Sequence, residues 1–483
     1  MLDGPGPVLS PFSLLVFVAQ RQRTCVGPGA FMALSCFKAY DIRGRVPSEL
    51  NESLARSIGR AYAERFSPKK VVVARDMRLS SEAIAGALIE GLLESGVDVI
   101  DLGLGGTEMV YFGAFHLEDE GVEGGIAVTA SHNPADYNGM KLVQKGAVPI
   151  SGDSGLKDIE KLAEAGVFKS VIRRGTRSSL DIMSAYIEHL LGYVDLAAMK
   201  PFKIVANAGN GCAGIVIDAI ERRLPFSFTK VFNTPDGTFP NGVPNPMLVE
   251  NRRATIDAMA EVGADLGVAW DGDFDRCFFF DADGGFVEGY YMVGLFAEEL
   301  LRDAPGSAII HDPRLTWNTL EKVQGAGGRA VQSKTGHAFI KERMRKEDAV
   351  YGGEMSAHHY FKRFAFCDSG MIPWLLLTQQ MSRTGKSLKQ LVSEMQARYP
   401  ASGEINLHLD DAKKALVAMR QRFGSGAVSI DETDGISIEH ATWRVNVRAS
   451  NTEPVVRVNV ESRGDEALMK RKTDEVLGLL RGL

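Results

Sequence analysis

Two short segments carry residue types suited to chemistry. Thr129-Ala130-Ser131-His132-Asn133-Pro134 places a hydroxyl just past an apolar run, Gly125-Ile126-Ala127-Val128. Layered α/β sheets set their ligands outside the carboxyl ends of the strands, which is where Ser131 falls. Asp271-Gly272-Asp273-Phe274-Asp275-Arg276 sets carboxylates at alternate positions. Hard divalent cations prefer oxygen ligands, and alternation puts Asp271, Asp273 and Asp275 on one side if the loop is extended. Serine is a weak nucleophile that needs a base or a metal to act. A serine loop with a triple-carboxylate loop therefore points to phosphoryl transfer through Ser131, assisted by a metal. Alone, each segment also reads as a turn, because Asn-Pro initiates turns and aspartate-rich loops are commonly solvated. An EF-hand reading fails: the glycine position holds Arg276 and the closing glutamate position holds Ala282. Neighbouring side chains point apart in extended chain, so His132 is read as shaping the loop or touching phosphate, not as the base for Ser131.

Other segments add polar groups in loops. These are Tyr40-Asp41-Ile42-Arg43-Gly44, Asn138-Gly139-Met140-Lys141, Lys334-Thr335-Gly336-His337 and Gly353-Glu354-Met355-Ser356-Ala357-His358-His359. Arg448-Ala449-Ser450-Asn451-Thr452 offers a guanidinium, hydroxyls, an amide and turn N–H groups, a good phosphate cradle to which Arg457 could add charge. The paired His358 and His359 are discounted as metal ligands, since adjacent strand positions diverge and no third ligand is near in sequence.

Taken in order, these motifs resemble the α-D-phosphohexomutase superfamily, and most of all its bacterial phosphomannomutase/phosphoglucomutase members. The resemblance runs from Phe37 to the C-terminus. It implies that Ser131 carries the phosphoryl group and that Asp271, Asp273 and Asp275, with a Ser131 oxygen, bind Mg2+. Lys141 and Arg43 would assist proton transfer, with His337 a further candidate near the sugar hydroxyls. A lysine can be a base only where burial or neighbouring positive charge depresses its pKa. Tyr40, His132, Arg276 and Lys334 would contact substrate. Glu354 and Ser356 would hold the hexose 3- and 4-hydroxyls. Arg448, Ser450, Asn451, Thr452 and Arg457 would bind the phosphate that is not reacting. Glucosamine-phosphate relatives carry glutamine where this chain has Met355. One departure is Arg314, where well-known relatives have lysine; it can bind phosphate but cannot lose a proton. The implied reaction interconverts mannose 1-phosphate and mannose 6-phosphate, and the glucose pair, through a hexose 1,6-bisphosphate that also serves as activator. Such a reaction feeds nucleotide-sugar and polysaccharide synthesis.

The elements that must position these loops are legible in outline. Lys70 to Ala74 is a β-branched run, Glu82 to Leu93 reads as a helix, and Val97 to Leu102 reads as a strand. The rhythm recurs at 202–206 with a helix over 215–222, and at 307–311 with a helix over 316–323. It favours βαβ units in layered α/β domains, each block reading strand, functional loop, helix. From about residue 398 alternating strands appear at 443–447 and 455–460, followed by a charged helix. The expected architecture is three consecutive α/β domains, over 32–176, 177–285 and 286–397, plus a smaller α+β domain over 398–483, around a central cleft.

The 483 residues allow about this many domains, and 45% hydrophobic with 24% charged residues is ordinary for a globular protein. A net charge of −6 gives no basic surface for nucleic acid or anionic membrane; the resemblance implies small hexose phosphates as partners, with no obligatory protein partner. Cys25, Cys36, Cys212, Cys277 and Cys367 show no pairing pattern, which fits a reduced, cytoplasmic protein. Phe12 to Ala19 is too short to span a bilayer and lacks a preceding positive charge. Residues 1–31 are read as a disordered or non-native extension.

Competing readings remain open at this stage. Gly209-Asn210-Gly211-Cys212-Ala213-Gly214 is a literal GxGxxG between a strand and a helix, the setting of a dinucleotide-dependent oxidoreductase. Against it, the next strand closes on Asn233 rather than an acidic residue. A non-catalytic sugar-phosphate-binding protein on the same fold is a second alternative. A metal-dependent phosphatase with Asp271 as nucleophile is a third, and it leaves the serine loop unexplained.

Overall fold

The β-branched run that opens the first layer is buried on both faces, as a parallel strand with helices on both sides requires. Val71 and Val73 face the helices Glu52–Phe66 and Ser81–Glu94, while Val72 and Ala74 face the helix Thr107–His116. This computed structural model describes Met1 and residues 34–409, 411–449 and 455–483; the extension expected over 1–31 lies, Met1 apart, outside the described residues.

The first sheet contains β1 (Ile42–Arg45), β2 (Lys70–Arg75), β3 (Asp98–Leu104), β4 (Gly124–Val128), β5 (Tyr137–Gln144), β6 (Val148–Pro149) and β7 (Arg177–Ser179). Their order is β1-β5-β4-β2-β3-β7, with β6 beside β5. β4, β2, β3 and β7 run parallel; β5 returns antiparallel to β4, and β1 antiparallel to β5.

The second sheet holds β8 (Lys203–Asn207), β9 (Ser227–Val231), β10 (Leu266–Trp270), β11 (Cys277–Phe280) and β12 (Phe286–Val287), ordered β12-β11-β10-β8-β9. The third holds β13 (Ala308–His311), β14 (Arg329–Gln332), β15 (Tyr351–Gly353), β16 (His359–Phe361) and β17 (Cys367–Asp368), ordered β14-β13-β15-β16-β17. Each pairs parallel strands with an antiparallel edge. The fourth, β18 (Ile405–His408), β19 (Ser429–Asp431), β20 (Ile436–Glu439), β21 (Trp443–Ala449) and β22 (Val455–Ser462), is antiparallel throughout. The fold is the expected one: α/β layers followed by a smaller α+β unit.

The blocks differ from the expected strand, loop, helix order at the loops that matter. Ser131 lies between β4 and β5, Asp271 to Arg276 between β10 and β11, and Glu354 to His358 between β15 and β16. In each layer the functional loop joins a parallel strand to an antiparallel neighbour, so it projects from the carboxyl end of its sheet and turns straight back.

A single apolar cluster runs through the α/β layers, from Val72 and Tyr111 through Val216 and Trp270 to Trp374 and Tyr399. The fourth unit has its own core around Met419, Val445, Val458 and Leu480. Its seam with the third is polar: Arg444 Nη1 donates to the Arg314 carbonyl at 2.8 Å, and Glu461 Oε1 accepts the Thr316 N–H at 2.8 Å. Among the described residues no helix is long and apolar enough to cross a membrane.

Candidate active site

Ser131 takes a left-handed backbone conformation with φ of 51°. That costs on the order of 1–3 kcal/mol and must be held by its surroundings. The Ser131 N–H donates to Thr129 Oγ1 at 2.9 Å. Arg78, fully buried, donates to the carbonyl oxygens of Ser131 (2.9 Å), Asn133 (2.6 Å), Pro134 (2.7 Å) and Tyr137 (2.9 Å). Sequence reasoning missed Arg78, because nothing in its local pattern separates it from a turn residue after β2.

The left-handed turn corrects the reading of His132. Extended chain would send its side chain away from Ser131, but the turn brings Ser131 Oγ within 3.0 Å of His132 Nδ1. Arg276 Nη2 donates to that same nitrogen in a short contact. Nδ1 is therefore an acceptor, and Ser131 Oγ gives its proton instead to Asp271 Oδ2 at 2.7 Å. Burial in the cleft, together with Arg276 and Arg43, pushes His132 well below the ordinary histidine range, although its side chain keeps 34% of its surface accessible.

The aspartate loop is a tight turn rather than an extended run, with Phe274 at φ 48° and fully buried. It still converges its carboxylates: one oxygen each from Asp271, Asp273 and Asp275 lies within 4.8 Å of the others, all buried. Asp273 Oδ1 and Asp275 Oδ1 have no hydrogen-bond partner. Buried carboxylate oxygens without donors are a fit for a hard cation, so these residues suit Mg2+. Lys141 Nζ supplies positive charge from β5, 2.7 Å from Asp273 Oδ2 and in short contact with Asp275. Burial opposes that charge, but the two carboxylates raise the Lys141 pKa above the ordinary lysine range. A lysine base needs the opposite shift, and a cation bound by the same carboxylates would add positive charge in that direction.

A cavity of about 280 Å³ is lined by Ser131, His132, Arg43 and Lys141 from the first layer, Asp275 and Arg276 from the second, Arg314, His337, Glu354 and Ser356 from the third, and Arg448 and Arg457 from the fourth. Tyr40 also lines it, its ring packed edge-on against His337 at 4.7 Å. Arg43 is fixed by Asp41 (2.7 Å) and by Asn133 Oδ1 (2.7 Å). Glu354 Oε1 accepts the Gly336 N–H at 2.9 Å and Oε2 accepts the Tyr360 hydroxyl. Arg314 donates to Asp312 Oδ2 (2.7 Å), Glu404 Oε2 (3.0 Å) and Ser356 Oγ (3.2 Å). Its guanidinium thus ties the loop of Glu354 and Ser356 to the fourth unit.

The comparisons with known proteins agree along most of the chain. Residues 35–170, 184–285 and 288–399 match the phosphoglucomutase/phosphomannomutase alpha/beta/alpha domains I, II and III, and 404–478 match the C-terminal domain. The chain belongs to the phosphoglucomutase/phosphomannomutase family. It is 58% identical over 456 residues to a phosphomannomutase of Escherichia coli, covering 93% of this chain and 99% of that one. It is 55% identical to the phosphohexose mutases of Xanthomonas campestris, covering 93% of this chain and 100% of that one. A Burkholderia thailandensis crystal structure of a phosphoglucomutase/phosphomannomutase family protein superposes with a TM-score of 0.84 at 33% identity, over 94% of this chain and 98% of that one.

Within this phosphoglucomutase/phosphomannomutase fold some expected site residues fall elsewhere. Lys334 is exposed and lines a separate surface groove with Phe339, Arg343 and Lys346, not the main cleft. Ser450, Asn451 and Thr452 lie outside the described residues. His359 diverges as expected, its Nδ1 bonded to the Tyr351 hydroxyl at 2.6 Å. His358 does not leave the site: it lines the cleft, with Nδ1 3.0 Å from Asp368 Oδ2 and 3.9 Å from Asp275 Oδ1. Asp275 and Asp368, both buried, and the partly buried His358 bring ligand atoms within 4.8 Å of one another, a grouping that sequence spacing did not reveal. Asp368 comes from β17, a strand neighbour invisible to local spacing.

The GxGxxG segment serves packing. A Cβ on Gly214 would sit 1.7 Å from the Asn233 carbonyl and one on Gly211 would sit 2.9 Å from that of Gly272. The Cys212 N–H is bonded to the Gly272 carbonyl at 3.1 Å. The loop backs the aspartate turn, and the oxidoreductase reading is set aside.

Proposed function

We propose that this chain interconverts hexose 1-phosphates and hexose 6-phosphates, taking mannose and glucose phosphates, with Ser131 as phosphoryl carrier. The observation that carries the reading is Ser131 Oγ bonded at 2.7 Å to Asp271 in a cleft that also presents a carboxylate–hydroxyl pair and clustered arginines. On phosphorylated Ser131, the free sugar hydroxyl attacks phosphorus in line. The P–Oγ bond breaks, the hydroxyl loses its proton, and a hexose 1,6-bisphosphate forms. The bisphosphate turns round in the cleft. Ser131 Oγ then attacks the opposite phosphate, and the product leaves as the isomeric monophosphate.

The chain's own groups divide this work. Arg276 and His132 flank the serine oxygen and face the transferring phosphate. Glu354 and Ser356 hold the 3- and 4-hydroxyls, and Arg448 and Arg457 grip the distal phosphate. Arg43 keeps its charge throughout and acts as a cation, and Lys141 pairs with the carboxylates of the aspartate loop. The imidazoles of His337 and His358 are the groups suited to move the hydroxyl proton, His358 oriented by Asp368 as a base is by a carboxylate. Asp271, Asp273, Asp275 and a Ser131 oxygen would hold Mg2+, which when bound offsets negative charge on the transferring group.

The domain boundaries that go with this reading lie near 176, 285 and 397, and its cellular setting is cytoplasmic. Hexose 1,6-bisphosphate is the activator, because it rephosphorylates Ser131. A coupled assay with mannose 1-phosphate and glucose 1-phosphate, with catalytic bisphosphate present, tests the reading. Turnover should appear on both sugars and vanish in Ser131→Ala. Intact mass should show one added phosphate on the wild type alone. An alanine variant that labels equally would sink it.

A further inference from the structure

Glu404 belongs to none of the motifs read from the sequence. It sits just before β18, where the chain passes from the third unit to the fourth. Its side chain is only 5% exposed and reaches three guanidiniums. Oε2 lies 3.0 Å from Arg314 Nη1 and 3.6 Å from Arg448 Nη2, and Oε1 lies 3.4 Å from Arg457 Nη1. Burial opposes its charge, yet the arginines hold its carboxyl below the ordinary glutamate range.

The arginines come from different places. Arg314 belongs to the third unit and is fully buried. Arg448 and Arg457 stand directly opposite each other on β21 and β22. Like charges at directly paired positions destabilise a sheet. A shared carboxylate offsets that repulsion and also pins the fourth unit to the third. Three guanidiniums converging on one oxyanion are equally the recognition chemistry of a phosphate.

We infer that the Glu404 carboxylate and the substrate's distal phosphate compete for this arginine trio, and that Glu404 is the residue that lets the phosphate go. The inference rests on the phosphohexomutase reading, because only a reaction whose intermediate must turn round needs a cradle that both grips and releases. Without Glu404 the trio would turn more positive charge toward a phosphate and would hold a bisphosphate more tightly through both halves of the reaction. A carboxylate that re-enters as the phosphate leaves lowers the cost of release and keeps the buried charges paired. Glu404 is thus a positioning residue: it acts on substrate through the arginines.

The experiment is calorimetric titration of the full chain with inorganic phosphate, together with steady-state kinetics on glucose 1-phosphate. Glu404→Gln keeps the shape and removes the charge. It should bind inorganic phosphate about tenfold more tightly, as the loss of one nearby partly screened charge allows. KM should fall and kcat should fall with it, because release becomes slow. Equal or weaker phosphate binding in a variant that melts cooperatively would overturn the proposal, as would a raised KM with unchanged kcat. If the glutamine variant does not fold, a crystal structure of the wild type with bound hexose phosphate decides. The carboxylate should have withdrawn from Arg448 and Arg457; a carboxylate still seated between them beside the phosphate would refute competition. Absence of any turnover by the wild type would instead count against the mutase reading, leaving the phosphate titration to judge Glu404 separately.

Discussion

Gly272 lies directly beneath the Ser131 carbonyl: a Cβ there would sit 2.6 Å from that oxygen. The serine and aspartate loops belong to different sheets, and this glycine lets their backbones close enough for the bond between Ser131 Oγ and Asp271. Gly272→Ala must push them apart by several tenths of an ångström. The expected result is a fall in kcat of about 10–100-fold with the melting temperature nearly unchanged, since misplacement on this scale is felt chiefly by chemistry. Wild-type turnover in the alanine variant would show that the contact is not needed.

The sequence made the strands, the serine and aspartate loops and the fold class visible because each is a local signal. The runs read as strands at Lys70 to Ala74 and Val97 to Leu102 appear in the structure as Lys70–Arg75 and Asp98–Leu104. What stayed hidden depends on geometry that spacing does not encode. Arg78, Asp368 and Glu404 reach the site from a turn, a short edge strand and an inter-unit segment. The closeness of His132 to the Ser131 hydroxyl was hidden because the left-handed turn at Ser131 inverts the rule that neighbouring side chains diverge.

Lys141 leads to the second prediction. Its ammonium is the positive charge nearest two buried carboxylates, Asp273 and Asp275. Removing it leaves uncompensated buried charge, which typically costs 3–5 kcal/mol, so Lys141→Met should be destabilised by about that much in chelator. Added Mg2+ should recover part of the loss, and should raise the melting temperature of the wild type as well, because it binds the folded state selectively. Chelator should abolish wild-type turnover without unfolding the chain. A methionine variant as stable as wild type in chelator, or one indifferent to Mg2+, would contradict the assignment of this loop to the metal.

A third prediction concerns stability against pH. His189 sits among Phe112, Phe115, Tyr193 and Phe364, with ring centroids 5.3–5.6 Å away. Burial, with Arg363 nearby, lowers its pKa to about 4 from an ordinary 6.5. Between those values the unfolded chain binds the proton and the folded chain does not. The stabilisation is therefore complete above about pH 6.5 and is lost as pH falls toward about 4. The ring is only partly buried, so the loss is discounted to about 1–2 kcal/mol. His189→Phe keeps the aromatic packing and removes the titration. Denaturant midpoints at about pH 7.5 and about pH 5 should converge more closely in the variant than in the wild type. An identical pH dependence in both chains would eliminate His189 as a contributor.

The last prediction tests the sugar loop. Glu354 already accepts from Gly336 and Tyr360, and its carboxylate is anchored facing the cleft with Ser356 beside it. Mannose and glucose share the configuration of the 3- and 4-hydroxyls assigned to this pair and differ at the 2-hydroxyl. A hydroxyl that a site does not bond cannot support strong discrimination. Mannose and glucose phosphates should therefore be used within about one to two orders of magnitude of each other in kcat/KM, a difference of roughly 1–3 kcal/mol. Glucosamine phosphate should be poor, with Met355 in place of the glutamine of enzymes that take it. Allose and galactose phosphates, inverted at the 3- or 4-hydroxyl, should be worse still. Glu354→Gln weakens a charge-assisted bond to hydroxyls that both good substrates present alike. It should lower kcat/KM by about 10–100-fold on each and leave their ratio unchanged, as loss of an interaction worth roughly 1.5–3 kcal/mol implies. One coupled assay across the sugars, run on both chains, reads all of this. A mannose-to-glucose ratio that moves with the substitution would mean that Glu354 senses the 2-hydroxyl, and indifference to inversion at the 4-hydroxyl would remove the loop from sugar recognition altogether.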